Sequence, residues 1–165
     1  TNDVVYSLAS PSGAYLVAVK SVESKAGDKK KDFLIEIISR EHSRVVRSVS
    51  TEKFHGKIYT SEPFGGMDWF ANEQELVYVA EALPPKTASF FTSDDPAATK
   101  KPEKGSQFEY KEDWGEALTG VINPRLFVFR LADASIREVK GVPVNMSLGQ
   151  VVCAPSIGPR GELIT

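Results

Sequence analysis

The chain has 165 residues, a length typical of one globular domain, and 41% of them are hydrophobic and 25% are charged. The formal net charge of −2 argues against nucleic-acid and membrane-surface binding, because both need a basic excess to recruit phosphate groups. The single cysteine, Cys153, excludes an intramolecular disulfide and a cysteine-based zinc site, and it favours a reducing, cytoplasmic location.

The beginning of the chain contains four predicted strands, because short β-branched and aromatic runs alternate with turn residues. DVVYSLA (residues 3–9) and YLVAVKS (residues 15–21) flank SPSG (residues 10–13), in which Pro presets φ and Gly can adopt a positive φ. We therefore expect a β-hairpin there. Two further strands are predicted at residues 32–39 and 44–50.

The same pattern then repeats along the chain. LVYV (residues 76–79) lies 60 residues after LVAV (residues 16–19), and a similar turn precedes each run. The strands predicted in the second copy are residues 64–70, 75–81, 125–131 and 135–141. A third copy opens with a predicted strand at residues 150–155 and a predicted turn at residues 156–161.

Units of four antiparallel strands that repeat along a chain are typical of β-propeller blades, since no blade can bury both of its faces alone. We therefore predict an all-β fold, a β-propeller fragment of about two and a half four-stranded blades. Blade 1 covers about residues 3–51, blade 2 about residues 64–141, and blade 3 begins within about residues 149–165. A β-sandwich is the alternative, although it does not predict the recurring turn after each first strand.

A long insertion interrupts blade 2 at residues 82–124, where a hairpin would need only a few residues. Its middle is rich in Pro, Lys and Asp, whereas its edges are aromatic, in ASFF (residues 88–91) and QFEYKEDWGEAL (residues 107–118). The residue pattern alone predicts that the aromatic side chains of the second edge anchor the insertion on the propeller rim, while its carboxylates stay in water.

The sequence lacks the usual signatures of catalysis. It contains no G-x-S-x-G run, so the nucleophile turn of an α/β-hydrolase is not encoded here. His42 lies in a polar turn and is expected to be solvated, and His55 is expected to be a surface residue or a hydrogen-bonded structural residue. The acids Glu112, Asp113 and Glu116 lack the alternating ligands and the Gly of a calcium loop. We therefore predict no catalytic residue, no metal site and no cofactor in this chain.

Three stretches together resemble a known family. They are YVAEALPPKTASFF (residues 78–91), GSQFEYKEDWGEAL (residues 105–118) and GVPVNMSLGQVVCAP (residues 141–155). They are similar to the N-terminal propeller of the acylaminoacyl-peptidases, also called acylpeptide hydrolases or acylamino-acid-releasing enzymes, within the prolyl oligopeptidase family of serine peptidases. The order EDWGE (residues 112–116) is specific to this type rather than to propellers at large.

The resemblance implies a two-domain enzyme that removes an N-acylated amino acid from the blocked end of a short peptide. A C-terminal α/β-hydrolase domain, not contained in these 165 residues, carries the Ser-Asp-His triad of this serine-type omega peptidase, and the propeller gates substrate access. The expected partners are that hydrolase domain, short N-acylated peptides and further copies of the chain, since family members are commonly homo-oligomers. The candidates for gating substrate or for an interface are Phe90, Phe91, Phe108, Tyr110, Glu112, Asp113, Trp114 and Glu116.

One rival hypothesis stays open, a free-standing β-propeller or β-sandwich module that binds protein partners through the aromatic and acidic insertion. The chain begins without Met and ends on a strand-like Leu-Ile, so we expect a piece of a longer polypeptide instead. A downstream G-x-S-x-G followed by Asp and His in the same reading frame would favour the peptidase. A natural stop near Thr165 would favour the free-standing module.

Overall fold

The computed structural model describes residues 3–23, 31–83, 105, 118–143, 146–154, 156–157 and 163–164. Every named element in this part of the chain is a β-strand, which confirms the all-β prediction. The chain forms two compact units. One comprises Thr1–Ala82 and Asn123–Thr165, and the other comprises Leu83–Ile122.

The first sheet has four antiparallel strands in sequential order, β1 to β4. Its strands are β1 (Asp3–Ala9), β2 (Tyr15–Glu23), β3 (Lys31–Ser39) and β4 (Arg44–Ser50). Each lies within two residues of its predicted range, because the runs of β-branched residues end at turn-forming residues. In the first of these turns Gly13 has φ 75°, a conformation that glycine adopts without steric cost.

The second sheet repeats this order with β5 (Met67–Trp69), β6 (Glu75–Glu81), β7 (Pro124–Arg130) and β8 (Ile136–Glu138). Strand β5 is shorter than predicted because the preceding link takes over part of the pairing with β6. The backbone N of Tyr59 donates to Val79 O at 3.0 Å, and the backbone N of Glu81 donates to Lys57 O at 2.9 Å. Pro124 is the first residue of its strand, a position where the missing N–H is tolerated.

The strand predicted at residues 150–155 is wrong, since residues 150–154 are not part of any strand. The backbone N of Cys153 donates instead to the Asp68 Oδ2 atom at 2.8 Å, so a side chain satisfies this donor in place of a sheet partner. The next pairing joins β9 (Ser156–Ile157), which lies in the predicted turn, to β10 (Leu163–Ile164), which is the strand-like Leu-Ile of the sequence. The boundary of a third blade therefore stays a prediction.

One hydrophobic core joins the two sheets, and each sheet contributes a single face to it. Paired residues share a face, so strand register identifies the two sets. The core face of the first sheet contains Val17, Val19, Ile35 and Ile37, all 0% exposed. The core face of the second sheet contains Leu76, Tyr78, Phe127 and Phe129, at most 3% exposed. Burying each such side chain contributes about 1.5 to 3 kcal/mol.

Candidate functional site

The residues predicted to gate substrate or to form an interface all belong to the unit Leu83–Ile122. That unit is described only at Leu83, Gly105 and residues 118–122, so all eight candidates lie outside the described residues. Their roles stay predictions. The chemistry open to the described part of the chain depends on its two histidines, its cysteine and the contacts between the sheets.

His55, in the link between the sheets, is 1% exposed. Its Nδ1 is 2.9 Å from the Gly56 carbonyl oxygen and its Nε2 is 2.8 Å from the Tyr78 hydroxyl. Because a carbonyl oxygen can only accept, Nδ1 carries the proton and Nε2 accepts from Tyr78. The ring also packs against Phe127, with centroids 4.7 Å apart. His55 is therefore the hydrogen-bonded structural residue of the prediction and not a surface residue.

The protonation states of this histidine and its partner follow from burial. Desolvation lowers the pKa of His55 to about 4, although its hydrogen bond to Gly56 acts in the opposite direction. Burial also disfavours the charged form of Tyr78, which raises the pKa of its hydroxyl above the ordinary value. Both groups are neutral near pH 7, and their polar atoms are engaged within the protein. The pair is therefore suited to bracing the core and not to exchanging protons with a substrate.

His42 has the opposite environment, as predicted for a solvated turn residue. Its side chain is 54% exposed, and its Nδ1 lies 3.3 Å from the Ser39 hydroxyl and 3.8 Å from the Glu41 carboxylate. Among the described residues, no buried acid orients the ring, as the third member of a catalytic triad would have to do. Neither histidine in the described part of the chain is thus arranged as a general base.

A cluster of hydrogen bonds joins equivalent turns of the two sheets. We call the contact between the two core faces, together with the turns that border it, the inter-sheet seam. The Glu73 carboxylate accepts hydrogen bonds from the hydroxyls of Ser10 at 3.0 Å and Ser12 at 2.8 Å, and from the backbone N of Ser12. Although desolvation acts to raise it, these three donors lower the pKa of the Glu73 carboxyl. Because the turn borders solvent, the contact contributes about 1 kcal/mol to stability.

A second set of contacts joins β4 to the turn that follows β7. The Arg47 Nε atom donates to Leu131 O at 2.9 Å, and its Nη2 atom donates to Ala132 O at 3.0 Å. The planar guanidinium matches two successive carbonyls with two parallel donors. Arg47 shares its face with Ile37, its partner in the strand register, and this face is the core face of the first sheet. The seam is thus held by specific polar contacts as well as by apolar burial.

Two aromatic side chains meet inside the seam. Tyr15 of the first sheet and Trp69 of the second stack with ring centroids 6.3 Å apart and an interplanar angle of 24°. Trp69 is 3% exposed, and its Nε1 atom has no hydrogen-bond partner within the described residues. The contact therefore contributes through apolar area and ring stacking.

The cysteine lies beside β5 in an environment that disfavours reactivity. The segment around it approaches the second sheet closely, since a Cβ added to Gly66 would lie 2.6 Å from the backbone N of Val151. Burial and the nearby Asp68 charge both raise the pKa of the Cys153 thiol. A thiol held in its protonated form is a weak nucleophile, so Cys153 is not an activated catalytic cysteine.

The described ranges also bear on metal and membrane binding. They contain no cluster of three or more His, Cys, Asp or Glu side chains arranged to hold a metal ion. Within the same residues, no helix has the length and apolar character needed to cross a bilayer.

Sequence reasoning did not identify the polar contacts of the inter-sheet seam. For Glu73 the sequence contained a signal, because the 60-residue repeat places SPSG (residues 10–13) and ANEQ (residues 71–74) at equivalent turns of the two predicted blades. Hydroxyls in one turn and a carboxylate in the other are complementary. For Arg47 no signal existed, since a guanidinium that donates to backbone carbonyls leaves no trace in the residue pattern.

Comparison with known proteins gives a consistent result. The sequence profile of the family described as "Acylamino-acid-releasing enzyme, N-terminal domain" matches residues 1–164. The rat and human proteins named acylamino-acid-releasing enzyme are each 33% identical to this chain over 167 residues, which cover 94% of the chain and 23% of the relative. A rice protein named acylamino-acid-releasing enzyme 2 is 34% identical over 94% of the chain and 20% of its own length.

These matches confirm the resemblance carried by the stretches at residues 78–91, 105–118 and 141–155. The chain spans about a fifth of the length of the curated relatives it matches. It belongs to the family of acylamino-acid-releasing enzyme N-terminal domains.

Proposed function

We propose that this chain is the non-catalytic N-terminal β-propeller portion of a serine peptidase that releases N-acylated amino acids from the blocked ends of short peptides. In this proposal the propeller gates substrate access, and a C-terminal α/β-hydrolase domain of the same polypeptide carries the Ser-Asp-His triad. The family membership and the far greater length of the relatives support this division of roles. We also propose a cytoplasmic location, assembly into homo-oligomers, and no nucleic-acid or membrane partner.

The observation that carries the propeller proposal is the repetition of one packing arrangement. Ala9 pairs with Leu16 in the first sheet, and Trp69 pairs with Leu76 in the second, at an offset of 60 residues on both strands. Both sheets have the same sequential strand order. Sequential four-stranded sheets that follow one another along a chain are typical of propeller blades, whereas a sandwich usually needs crossing connections.

The two sheets also pack head to tail. In the first sheet Val17 faces the second sheet, but the equivalent residue Val77 lies on the far face of its own sheet. The second sheet instead presents Leu76, the equivalent of Leu16, to the first. Such heterologous contacts can continue in the same sense and close into a ring, as blades do around a propeller axis.

Gating by a propeller has a clear physical basis. A chamber that excludes water and folded proteins protects a nonspecific nucleophile, and selection by size uses no binding energy from the substrate. The rigidity of the inter-sheet seam serves such a filter, because the opening keeps its width only while neighbouring blades stay joined. The buried pair His55 and Tyr78 and the seam contacts of Glu73 and Arg47 supply that rigidity.

Hydrolysis and active-site labelling test the proposal. We expect the longer natural polypeptide that contains these 165 residues to release acetyl-alanine from acetyl-alanyl p-nitroanilide and to react with a fluorophosphonate probe. We expect the 165-residue chain alone to do neither, because its sequence has no G-x-S-x-G run and its described residues include no activated nucleophile. A serine labelled stoichiometrically in the isolated chain would contradict the proposal, as would a longer polypeptide that leaves N-acylated substrates intact.

A further inference from the structure

The turn between β1 and β2 carries two serine hydroxyls that differ in accessibility. Ser10 is 4% exposed, and its Oγ atom both donates to Glu73 Oε2 and accepts from the backbone N of Tyr15 at 3.1 Å. Ser12 is exposed, although its Oγ atom also donates to Glu73 Oε2, at 2.8 Å. An enzyme that modifies a hydroxyl must reach it from solvent, and exposed turns are where such access is found. Of these two hydroxyls, Ser12 is therefore the one that is open to modification.

The contact of Ser12 with Glu73 crosses the inter-sheet seam. Ser12 lies between β1 and β2 of the first sheet, whereas Glu73 lies between β5 and β6 of the second. The carboxylate accepts two hydrogen bonds from Ser12, one from its hydroxyl and one from its backbone N. We call these two hydrogen bonds the latch. Both require that the Ser12 side chain can approach a carboxylate as a neutral donor.

A phosphate on Ser12 would reverse the sign of this contact. A phosphate ester carries a charge of about −1.5 to −2 at pH 7, and its oxygens accept hydrogen bonds. The carboxylate that it would face is ionised at neutral pH, since the three donors of the turn lower the pKa of Glu73. Like charges at hydrogen-bonding distance repel each other, so the modified turn would have to leave Glu73.

A cation borders the same turn. Arg40 is exposed, and its Nη1 atom lies 3.5 Å from the position that a Cβ would occupy on Gly13, the residue after Ser12. The backbone N of Arg40 donates to Ala14 O at 2.9 Å, which keeps this residue beside the turn. Guanidinium groups bind phosphate through two parallel hydrogen bonds. The turn therefore lies near one partner for the unmodified serine, Glu73, and near another for the modified serine, Arg40.

We propose that Ser12 is a phosphorylation site, and that its phosphate releases the turn from Glu73, pairs with Arg40 and loosens the inter-sheet seam. A protein kinase transfers the γ-phosphoryl group of a nucleoside triphosphate to Ser12 Oγ. A bond between Oγ and phosphorus forms, the bond between the γ-phosphorus and the bridging oxygen breaks, and the nucleoside diphosphate and the hydroxyl proton leave. The apolar core between the sheets stays in contact while the latch opens. The switch acts on the seam itself and does not require the proposed peptidase activity.

Hydrogen exchange in the longer polypeptide tests the switch. Phosphoserine is incorporated at position 12 during synthesis, and exchange is followed by mass spectrometry in peptides that contain residues 10–14 and 70–75. Rates are divided by those of unfolded peptides with the same phosphoserine, so that the direct effect of the phosphate on nearby amides cancels. The matched control is phosphoserine at position 135. Ser135 is also exposed and also donates to a carboxylate, at 2.7 Å, but its partner Asp133 lies in the same turn.

We expect phosphoserine at position 12 to speed exchange in both peptides by at least about fivefold, the factor that corresponds to the loss of one or two hydrogen bonds. Phosphoserine at position 135 should leave both peptides unchanged. In Glu73→Gln, phosphoserine at position 12 should no longer speed exchange, because the glutamine amide can donate to the phosphate. In Arg40→Gln the increase should be larger, because the released turn then lacks its second partner.

Unchanged exchange with phosphoserine at position 12, or the same increase in Glu73→Gln, would overturn the release from Glu73. An increase in Arg40→Gln no larger than in the wild type would overturn the pairing with Arg40. A polypeptide that fails to hydrolyse N-acylated substrates would count against the proposed function while leaving these exchange rates unchanged.

Phosphopeptide mapping tests the modification itself. The longer polypeptide is purified from its own cells with phosphatases inhibited, and we expect phosphate on Ser12 and none on the buried Ser10. A map that covers both residues and finds Ser12 unmodified, in growing and in starved cells, would overturn the assignment of the site. Phosphate on Ser10 instead would overturn it as well, because the buried hydroxyl would then be the one that a kinase reaches.

Discussion

Replacing Ile35 by Ala is expected to lower the free energy of unfolding of the chain by about 3 kcal/mol, as large-to-small changes in a closed core do. Ile35 is 0% exposed and lies in the middle of β3 on the core face of the first sheet. The substitution removes apolar burial and leaves a cavity that the paired strands on both sides cannot collapse. Urea titration monitored by tryptophan fluorescence measures the change.

The matched control is Val45→Ala, a truncation in the neighbouring strand β4 of the same sheet. Val45 is 48% exposed, so the loss of its methyl groups should change stability by less than about 0.5 kcal/mol. Equal losses for Ile35→Ala and Val45→Ala in the 165-residue chain would contradict the assignment of the two faces.

Acidification is expected to lower the free energy of unfolding by up to about 3 kcal/mol through His55 alone, since each pKa unit corresponds to about 1.4 kcal/mol. The folded pKa of His55 is about 4, below its ordinary value of 6.5. Between pH 4 and pH 6.5, the unfolded chain therefore binds a proton at His55 more readily than the folded chain does. The contribution of His55 is complete above pH 6.5 and is lost as the pH falls from 6.5 towards 4.

His55→Gln removes the titrating group while keeping one donor and one acceptor in the side chain. We expect this variant to be less stable near neutral pH, because the glutamine fills the space beside Tyr78 and Phe127 less well. Its stability should also fall less steeply between pH 6.5 and 4.5. His42→Gln is the matched control, because it makes the same change at a histidine that is exposed in a turn. Parallel slopes for the wild type and His55→Gln would contradict the buried neutral state.

The strands could be predicted from sequence to the extent that their residues alternate with strong turn signals. Both strands β1 (Asp3–Ala9) and β6 (Glu75–Glu81) begin and end as predicted, because a turn of Pro, Gly, Ser or Asn lies beside each β-branched run. Strand β5 was predicted too long, since the pattern does not show that the link around Tyr59 competes for the edge of β6. Local residue patterns thus predict where strands lie, but not which segments compete to pair with them.

The segment at residues 150–154 shows a second limit of sequence reasoning. Its run of Val, Val and Cys has a high β propensity, yet the Asp68 carboxylate takes the backbone N–H of Cys153. Such a long-range side-chain contact cannot be read from neighbouring residues. The contacts of Arg47 with the carbonyls of Leu131 and Ala132 cannot be read from neighbouring residues either. The contact of Glu73 with Ser12, in contrast, can be inferred once the two repeated four-strand segments are aligned.

The candidate site was predicted least completely. The family could be identified from EDWGE (residues 112–116) and its flanking stretches, because an unusual residue order is informative without any structure. The roles of the aromatic and acidic residues in the insertion depend on what they contact, and they lie outside the described residues. For His55 two alternatives were expected, a surface residue or a hydrogen-bonded structural residue, and the structure shows the second; the choice between them depends on tertiary packing beside Tyr78, which the residue pattern does not show.

The most direct test of the gating proposal is the ratio of kcat/KM for a short N-acetylated peptide to that for a long unstructured peptide with the same blocked end. In the longer polypeptide, a propeller that filters by size predicts a ratio well above one. The double variant Arg47→Ala with Glu73→Ala, which loosens the inter-sheet seam, should lower this ratio while hydrolysis of the short peptide is retained. A ratio near one in the wild type, or a ratio that the double variant leaves unchanged, would contradict the proposal that this chain controls access.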